Sequence, residues 1–209
     1  MYNRDYLSNQ STQHTQESSQ VQLMSFLKAT YQLFAGSLLA ATAGAYIGLG
    51  IVSLLMGPVK WVLFAIELAL IFFVIPRVKH TPGVNLAVLF AFTFISGLTI
   101  APLLTSILNM PGGAAIVGQA FLMTSVAFGG ISMFAMTTKR DFSSMGKFLI
   151  IALIIMIVAG ISNIFIQSSM MQLAIASAGA LLFSAFILYD TQQIIRGNYD
   201  SPVEAALSF

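Results

Sequence analysis

The sequence predicts an all-α integral membrane protein, a polytopic helical bundle with six complete transmembrane helices. Its composition is 57% hydrophobic and only 8% charged, and its mean hydropathy is +0.88. A soluble domain carries about 25% charged residues, so this composition is typical of a surface that faces lipid. Two further observations support the same fold class: six apolar segments of spanning length, and positive charge concentrated on one side of them.

The first residues differ in composition from the rest of the chain. Residues 1–24 are dominated by Asn, Gln, Ser, Thr and His, with scattered charges at Arg4, Asp5 and Glu17. They have neither the basic start and apolar core of a secretory signal nor the Arg-rich amphipathic pattern of a transit peptide. We therefore expect a flexible polar cytoplasmic tail over 1–24 and a transmembrane bundle domain over 25–209.

Clusters of proline, glycine and charge divide the remaining chain into six apolar segments. Each segment comes close to the roughly 20 residues that a helix needs to cross a bilayer core. The six segments are Ala29–Leu55, Val59–Ile75, Val84–Leu108, Ala114–Met136, Phe148–Ile166 and Met171–Tyr189. The loops between them are short, so neighbouring helices must run antiparallel, with every backbone amide bonded within its own helix.

Positive charge orients these segments in the membrane. Eight of the nine basic residues fall on one side: Arg4, Lys28, Arg77, Lys79, Lys139, Arg140, Lys147 and Arg196. The opposite side receives only Lys60. This bias predicts that the N-terminus and the basic loops are cytoplasmic. The formal net charge of +2 comes from so few groups that it argues for no nucleic-acid partner.

Small residues recur at helical spacing in the first and sixth segments. The stripe in the first segment consists of Gly36, Ala40, Gly44 and Gly48, and the stripe in the sixth consists of Ala176, Ala180 and Ser184. Such stripes let a neighbouring backbone approach closely. They predict tight helix packing and carry no information about a substrate.

Glu67 lies near the middle of the second segment, in WVLFAIELALIFFVI. A charged side chain at this depth costs from a few kcal/mol upward, so such residues face a bundle interior or a wet cavity. No basic residue lies three or four positions away, and Lys60 can extend its side chain outward to water. Glu67 is therefore either protonated and bonded to a backbone carbonyl, or paired with a group from another helix on an ion pathway.

Asp190 comes at the end of the sixth segment, in ILYDTQQIIRGNYD. An aspartate at this position can simply reach water, as the polar end of a helix. The helix dipole opposes negative charge at a C-terminus, however, and Asp190 lies about 40° from Ala176 around the helix. Both alternatives remain: an ordinary polar end, and a titratable group that points into the bundle.

Arg77 and Lys79 end the second segment on the side that also carries Asp190. The presence of Lys79 is explained by the orientation of the protein in the membrane, which positive charge on the cytoplasmic side sets. Arg77 could in addition reach inward, because a guanidinium can hold two carboxylate oxygens at once.

Residue types and motifs argue against an enzyme. The chain has no cysteine, which excludes disulfides, cysteine zinc clusters and thiol nucleophiles, and its two histidines, His14 and His80, argue against a histidine-based metal site. There is no His-Glu-x-x-His, no second aspartate in Gly-x-Gly-Asp, and no Gly-x-Ser-Gly.

The stretch FSAFILYDTQQII, followed by a short polar turn and SPVEAALS, resembles the signature of the Bax inhibitor (TMBIM) family, in its bacterial branch of YccA- and YetJ-like proteins. The carboxylate in the second segment and the basic pair after it also agree. The resemblance implies an inner-membrane protein with a seven-helix fold, whose last helix is wrapped by the other six. It further implies a pH-sensitive calcium leak channel, gated by two aspartates that share a proton and are bridged to an arginine.

Carried over by residue, the resemblance assigns gating and pH sensing to Asp190 and Arg77, and the ion pathway to Glu67 and Asp190. Calcium, a hard cation, prefers oxygen ligands, so Asp190 and Glu67 are also its expected ligands. Calcium is expected as the transported ion, and no cofactor is expected. Two neighbouring carboxylates titrate as a unit, so a change of pH can shift the equilibrium between a closed and an open packing of the helices.

The chain departs from the family pattern at its end. It stops at Phe209, after SPVEAALSF, where the family continues through a hydrophobic helix that carries the second aspartate. We therefore expect six complete helices plus the start of a seventh, a two-aspartate gate that cannot operate within this chain, and lower stability than a full-length relative. Asp200 and Glu204 lie in the wrong stretch to replace the missing group.

The alternative function implied by the resemblance is regulatory. YccA-like relatives are associated with the modulation of a membrane-bound protease of the FtsH type. In that case the polar tail, residues 1–22, would be a plausible contact for the protease. The expected partners are thus the lipid bilayer, calcium ions and, in the alternative, such a protease.

Overall fold

A computed structural model of the chain describes residues 2–138 and 140–209, with side chains described for 19–138 and 140–209. Most of the predicted tail, 1–24, lies outside the residues with described side chains, and its flexibility stays a prediction. The elements described are all helical. They are α1 (Tyr2–Gly50), α2 (Val52–Leu55), α3 (Val59–Ala69), a π-helical turn (Leu70–Val74), α4 (Ile75–Val78), α5 (Val84–Leu108), α6 (Gly113–Thr137), a 3₁₀ turn (Ser143–Met145), α7 (Gly146–Ile166), α8 (Ser169–Ile195) and α9 (Pro202–Ser208).

Among the described residues, six helical segments are long and apolar enough to cross a membrane. They are Ser19–Gly50, Val59–Val78, Val84–Leu108, Gly113–Thr137, Ser143–Ile166 and Ser169–Ile195. This confirms the predicted fold class and the number of complete spans. Several predicted boundaries differ from the structure. The first span begins earlier, at Ser19, and ends at Gly50, before the separate helix α2. The second span continues to Val78, and the sixth continues past Tyr189 to Ile195.

The chain forms two compact units, each described by itself below. The N-terminal unit comprises Met1–Leu104 and Tyr199–Ser208, and the C-terminal unit comprises Thr105–Asn198 and Phe209. The short helix α9 therefore belongs with α1, on which it packs, although it follows α8 in the sequence.

Helices α1 and α5 pack backbone against backbone in the N-terminal unit. A Cβ atom added to Gly44 would lie 2.1 Å from the carbonyl oxygen of Phe94, and one added to Gly97 would lie 2.0 Å from that of Ala41. No real side chain tolerates such distances, so only glycine fits at these two positions. The small-residue stripe predicted for the first span is therefore confirmed as a packing surface.

The second span contains an irregular stretch that has a local cause. Pro76 has no amide hydrogen, and in a regular α-helix its ring would collide with the carbonyl of Phe72. The backbone widens into a π-helical turn, Leu70–Val74, immediately before α4, which holds Pro76 near its start. Widened turns of this kind are a common response to a residue that interrupts the α-helical bonding pattern.

Helix α8 packs between α6 and α7 in the C-terminal unit. Its buried face contains Gly179 and Leu182, whereas Ala176 and Ala180 are exposed. The predicted packing stripe of Ala176, Ala180 and Ser184 was therefore wrong, although it lies next to the true one. The Ser184 hydroxyl donates to the carbonyl of Ala180 within its own helix, at 2.7 Å, and it needs no partner from another helix.

Large apolar side chains cover the outside of both units. Helix α7 shows this most clearly, because Ile150, Ile154, Ile157 and Ile161 are all exposed by more than half of their surface. The segment that contains α7 also has the highest mean hydropathy of the six spans, 2.9. Such a surface is stable in contact with acyl chains and would aggregate in water.

The close contact of α1 with α5 predicts a selective sensitivity to one added methyl group. Gly44→Ala should lower the thermal unfolding midpoint in detergent, because overpacking costs about 1–3 kcal/mol. Gly118→Ala on α6 is the matched control, since a Cβ atom there would meet nothing within 4 Å. Equal midpoints for the two variants would contradict the described α1–α5 contact.

Candidate functional site

Asp190 is buried. Its exposed fraction is 7%, and the next two residues along α8 are equally enclosed, Thr191 at 0% and Gln192 at 4%. A run of three buried polar side chains on a membrane-spanning helix is unusual, because each must find partners away from water. Asp190 and Thr191 each interact with another group of the protein.

The position of Asp190 within its helix differs from the sequence-based expectation. Helix α8 continues to Ile195, so Asp190 does not occupy the helix end. The argument from the helix dipole consequently loses force, because that effect is confined to the last turn. At about 100° per residue, Asp190 falls about 20° from the buried Gly179 around the helix. Asp190 is thus buried because it lies on the face of α8 that packs in the C-terminal unit. Gly179 marks that face, whereas Ala176, from which the orientation was predicted, is exposed.

Gln192 fastens the loop between α6 and α7 to α8. Its side-chain oxygen accepts a hydrogen bond from the amide of Phe142 at 2.9 Å, and its side-chain nitrogen donates to the carbonyl of Arg140 at 2.8 Å. One buried amide therefore satisfies a donor and an acceptor of a loop backbone. Leaving either group unpaired would cost about 1–3 kcal/mol.

Tyr189 and Gln193 form a second contact of the same kind. The Tyr189 ring lies against the start of α7, where a Cβ atom on Gly146 would come within 2.7 Å of the phenolic oxygen. Gln193 donates to that oxygen at 2.8 Å and accepts from Asn198 at 2.8 Å. These bonds hold the end of α8 and the following turn against α7.

Arg196 pairs with Asp141 in the same loop, with Nη2 to Oδ1 at 2.7 Å. Hydrogen bonds from the backbone and side chain of Ser143, together with Arg196, hold the pKa of Asp141 below its usual value. The stretch YDTQQIIR therefore divides by role: Tyr189, Gln192, Gln193 and Arg196 are structural, and Asp190 is the buried titratable group among them.

Glu67 lies on the less exposed face of the second span. Leu63, Glu67, Leu70 and Val74 are all half-buried, whereas Phe64, Ile66 and Leu68 are exposed. Glu67 thus lies on the less exposed face of the span, and the π-helical turn begins shortly after it. Among the described residues, no ion pair involves Glu67, so the pairing considered for it from the sequence is not observed.

Arg77 is exposed, and its guanidinium donates to the carbonyl of Phe73. No ion pair of Arg77 with a carboxylate occurs among the described residues. The guanidinium instead satisfies a carbonyl of the π-helical turn that precedes it. Glu67 and Arg77 belong to the N-terminal unit and Asp190 to the C-terminal unit. The calcium-ligand and gating roles expected for these residues stay predictions.

A second polar cluster, missed by the sequence analysis, lies at the junction of α4 with α9. Lys79 Nζ lies 3.0 Å from Glu204 Oε1, and His80 Nδ1 lies 3.3 Å from Asp200 Oδ2 and 3.8 Å from Glu204 Oε2. We call Lys79, His80, Asp200 and Glu204 the His80 cluster. Lys79 is thus more than a topology-setting charge, because it neutralises a mostly buried carboxylate.

Glu204 is held in place by a helix-capping arrangement that the sequence SPVE does signal. The Ser201 hydroxyl accepts from the amide of Glu204 at 3.2 Å, while the Glu204 carboxylate accepts from the amide of Asp200 at 3.1 Å. This reciprocal pattern resembles a capping box, with Pro202 at the first helical position. Burial raises the pKa of Glu204, but the bonds from Lys79 and Asp200 and the nearby positive charge outweigh it, so the pKa lies below its usual value.

Comparisons with known proteins agree along nearly the whole chain. A family model described as "Inhibitor of apoptosis-promoting Bax1" matches residues 23–209. An uncharacterized protein of Campylobacter jejuni is 49% identical over 211 residues, which cover 100% of this chain and 90% of the relative. An uncharacterized membrane protein of Vibrio cholerae is 38% identical over 87% of this chain and 80% of its own length. Protein lifeguard 4 of the mouse is 34% identical over 88% of this chain and 78% of its own length.

The bonds of Gln192 predict that the α6–α7 loop depends on this side chain. Gln192→Leu should accelerate hydrogen exchange of the Phe142 amide roughly tenfold or more, because that amide loses its partner. The measurement is exchange mass spectrometry in detergent. Gln172→Leu, at the opposite end of α8 and exposed, is the control and should leave the loop unchanged.

The lowered pKa of Glu204 predicts a pH-dependent contribution to stability. A carboxylate whose pKa is depressed on folding stabilises the protein above its ordinary value of 4.5, and this contribution is lost as the pH falls through the folded pKa. Glu204→Gln should therefore lower the unfolding midpoint at about pH 7, and the difference from wild type should shrink below pH 4.5. Glu17→Gln in the tail should show no such dependence, and a difference that grows on acidification would contradict the described pairing.

Proposed function

Because the chain belongs to the Bax inhibitor family, whose model matches residues 23–209, we propose that it is a pH-sensitive leak channel for calcium and related cations. Its membrane would be the bacterial inner membrane, with the N-terminus in the cytoplasm. The single observation that carries the proposal is the burial of Asp190, a carboxylate with an exposed fraction of 7% on a membrane-spanning helix. The partners of the protein would be the lipid bilayer around it and the calcium ions that pass through it.

Burial makes Asp190 suited to sense protons. A carboxylate in an enclosed, low-dielectric site gains or loses a full charge when it titrates, and few solvent molecules screen that change. Asp190 is also rigidly placed, because Gln192, which follows it on α8, is bonded to the α6–α7 loop. A change of charge at Asp190 therefore acts on a helix that is tied to its neighbours, rather than on a mobile side chain.

Glu67 supplies the second part of the proposal, the ion pathway. Glu67 is the acidic residue of the second span, half-buried on the less exposed face of that span. Calcium takes oxygen ligands and exchanges them readily, so a carboxylate at this depth can replace part of its hydration shell. The adjacent π-helical turn, Leu70–Val74, offers a place where the helix can change its bonding at small cost.

Arg77 would take part in gating by changing its partner. In the described state its guanidinium bonds to the carbonyl of Phe73, and the residue is exposed. An exposed arginine can move to a carboxylate that becomes ionised, since a charge-assisted pair is stronger than a bond to a neutral carbonyl. The protonation state of the acidic groups would then select between two packings of the second span.

The energetic requirement of such a gate is modest. A difference of one pKa unit between two states corresponds to about 1.4 kcal/mol, which shifts their ratio tenfold. A single buried carboxylate can supply a shift of that size when its surroundings differ between the closed and open states.

Calcium flux in proteoliposomes across pH tests the proposal. Asp190→Asn should flatten the pH dependence of flux, because the amide cannot titrate, whereas Glu67→Gln should mainly lower conduction at every pH. Glu17→Gln in the tail is the control and should behave as wild type. Flux that is unchanged by both substitutions would contradict the roles assigned to Asp190 and Glu67.

An absence of flux from the intact chain at every pH would overturn the channel proposal itself. The regulatory alternative, contact with a membrane-bound protease of the FtsH type through residues 1–22, would then be the one to pursue. Deleting residues 1–22 separates the two, since flux should survive the deletion and a contact with the protease should not.

A further inference from the structure

We propose that His80, Asp200 and Glu204 form a binding site for a divalent transition metal ion such as Zn²⁺. The site lies in the N-terminal unit, where the end of α4 meets the start of α9. It is independent of Asp190 and Glu67, and it does not depend on channel activity.

The three side chains lie close enough together to share one metal ion. One ligand atom from each residue lies within 4.8 Å of the others. His80 Nδ1 is 3.3 Å from Asp200 Oδ2 and 3.8 Å from Glu204 Oε2. A tetrahedral zinc ion with bonds of about 2.0–2.2 Å places its ligand atoms about 3.3–3.6 Å apart. A metal ion could therefore enter with side-chain shifts of a few tenths of an ångström to about 1 Å.

The types of ligand decide between classes of metal. One imidazole nitrogen and two carboxylate oxygens suit zinc and its first-row neighbours. Calcium and magnesium prefer oxygen ligands, so the imidazole of His80 would contribute little to the binding of either ion. This separates the site in chemistry from any calcium pathway.

Access and a free coordination position come from an adjoining cavity. The cavity has a volume of about 520 Å³ and is lined by His80, Asp200, Asn85 and neighbouring residues of the N-terminal unit. The His80 and Asp200 side chains are exposed by 54% and 84%, so an ion can reach them from water. Three protein ligands leave a fourth position for a water molecule on this side.

Glu204 provides the rigid part of the site. Its side chain is only 10% exposed, and its Oε2 atom already accepts the amide of Asp200 at 3.1 Å. The Ser201 hydroxyl fixes the backbone of Glu204 through its amide. A ligand held in this way loses little conformational freedom when it binds an ion.

Charge also favours a cation, although one residue competes with it. Asp200 and Glu204 carry two negative charges, and Lys79 offsets one of them from 3.0 Å. With a neutral His80 the cluster keeps a net charge of −1, which attracts a divalent ion. Lys79 occupies Glu204 Oε1 and raises the cost of binding, so removing its charge should strengthen the site.

Zinc titration of the purified full chain in detergent, by competition with a fluorescent zinc chelator, tests the proposal. We expect one saturable site, which calcium does not displace. His80→Gln and Asp200→Asn should each weaken zinc binding by about tenfold or more, since even loss of an outer contact costs about 10–100-fold. Lys79→Met should strengthen binding. His14→Gln is the matched control, because His14 is the only other histidine and the chain has no cysteine.

Thermal unfolding supplies a second readout that a folding defect would not imitate. Zinc should raise the unfolding midpoint of wild type and of His14→Gln, because it binds the folded state alone, and it should raise the midpoint of His80→Gln clearly less. If His80→Gln does not fold, Asp200→Asn takes its place, because its carboxylate is exposed. The proposal is overturned if zinc does not saturate, if His14→Gln weakens binding as much as His80→Gln does, or if Lys79→Met weakens it.

Discussion

The structure depends above all on the absence of water from the bilayer core, which obliges each polar group there to find its partner within the protein. Hydroxyl groups in the spans meet this condition inside their own helices: Thr93 donates to the carbonyl of Leu89, and Thr99 donates to that of Ile95. The same condition explains the second span. Pro76 interrupts the α-helical bonding, the backbone widens before it, and Arg77 bonds to a carbonyl of the widened turn. Helix packing must then be achieved by close approach, which the glycines of α1 and α5 permit.

Titratable groups fall into two kinds under this constraint. Asp141, Asp200 and Glu204 lie outside the spans, where they pair with basic side chains and fasten loops or the start of α9. Asp190 and Glu67 lie within spans, where charge is expensive and ordinary stability would be served better by an apolar residue. That contrast is the physical basis on which sensing and conduction are proposed for the second pair and not for the first group.

The sequence analysis succeeded where local pattern and physics coincide. The six spans and the α1 stripe through Gly44 follow from hydropathy and from spacing within a single segment. It failed where the answer required knowledge of a distant neighbour. Ala176 was chosen for packing because small residues recur around it, yet the face of α8 that meets α6 and α7 contains Gly179. The His80 cluster was missed because His80 and Glu204 are far apart in the sequence, and only the packing of α9 on α1 brings α9 into the N-terminal unit.

The amino-acid sequence by itself determined the fold class and the number of spans, because membrane insertion is governed by the hydropathy and length of each segment taken singly. The family followed from the resemblance of the stretch FSAFILYDTQQII to a family signature. It also placed acidic groups at Glu67 and Asp190. Only the tertiary structure decided that Asp190 is buried, that Gln192 holds a loop, and that Lys79 neutralises Glu204. The physical reason is that these properties belong to pairs of segments. Burial and hydrogen bonding depend on which faces meet, and helical periodicity alone leaves several faces equally suitable.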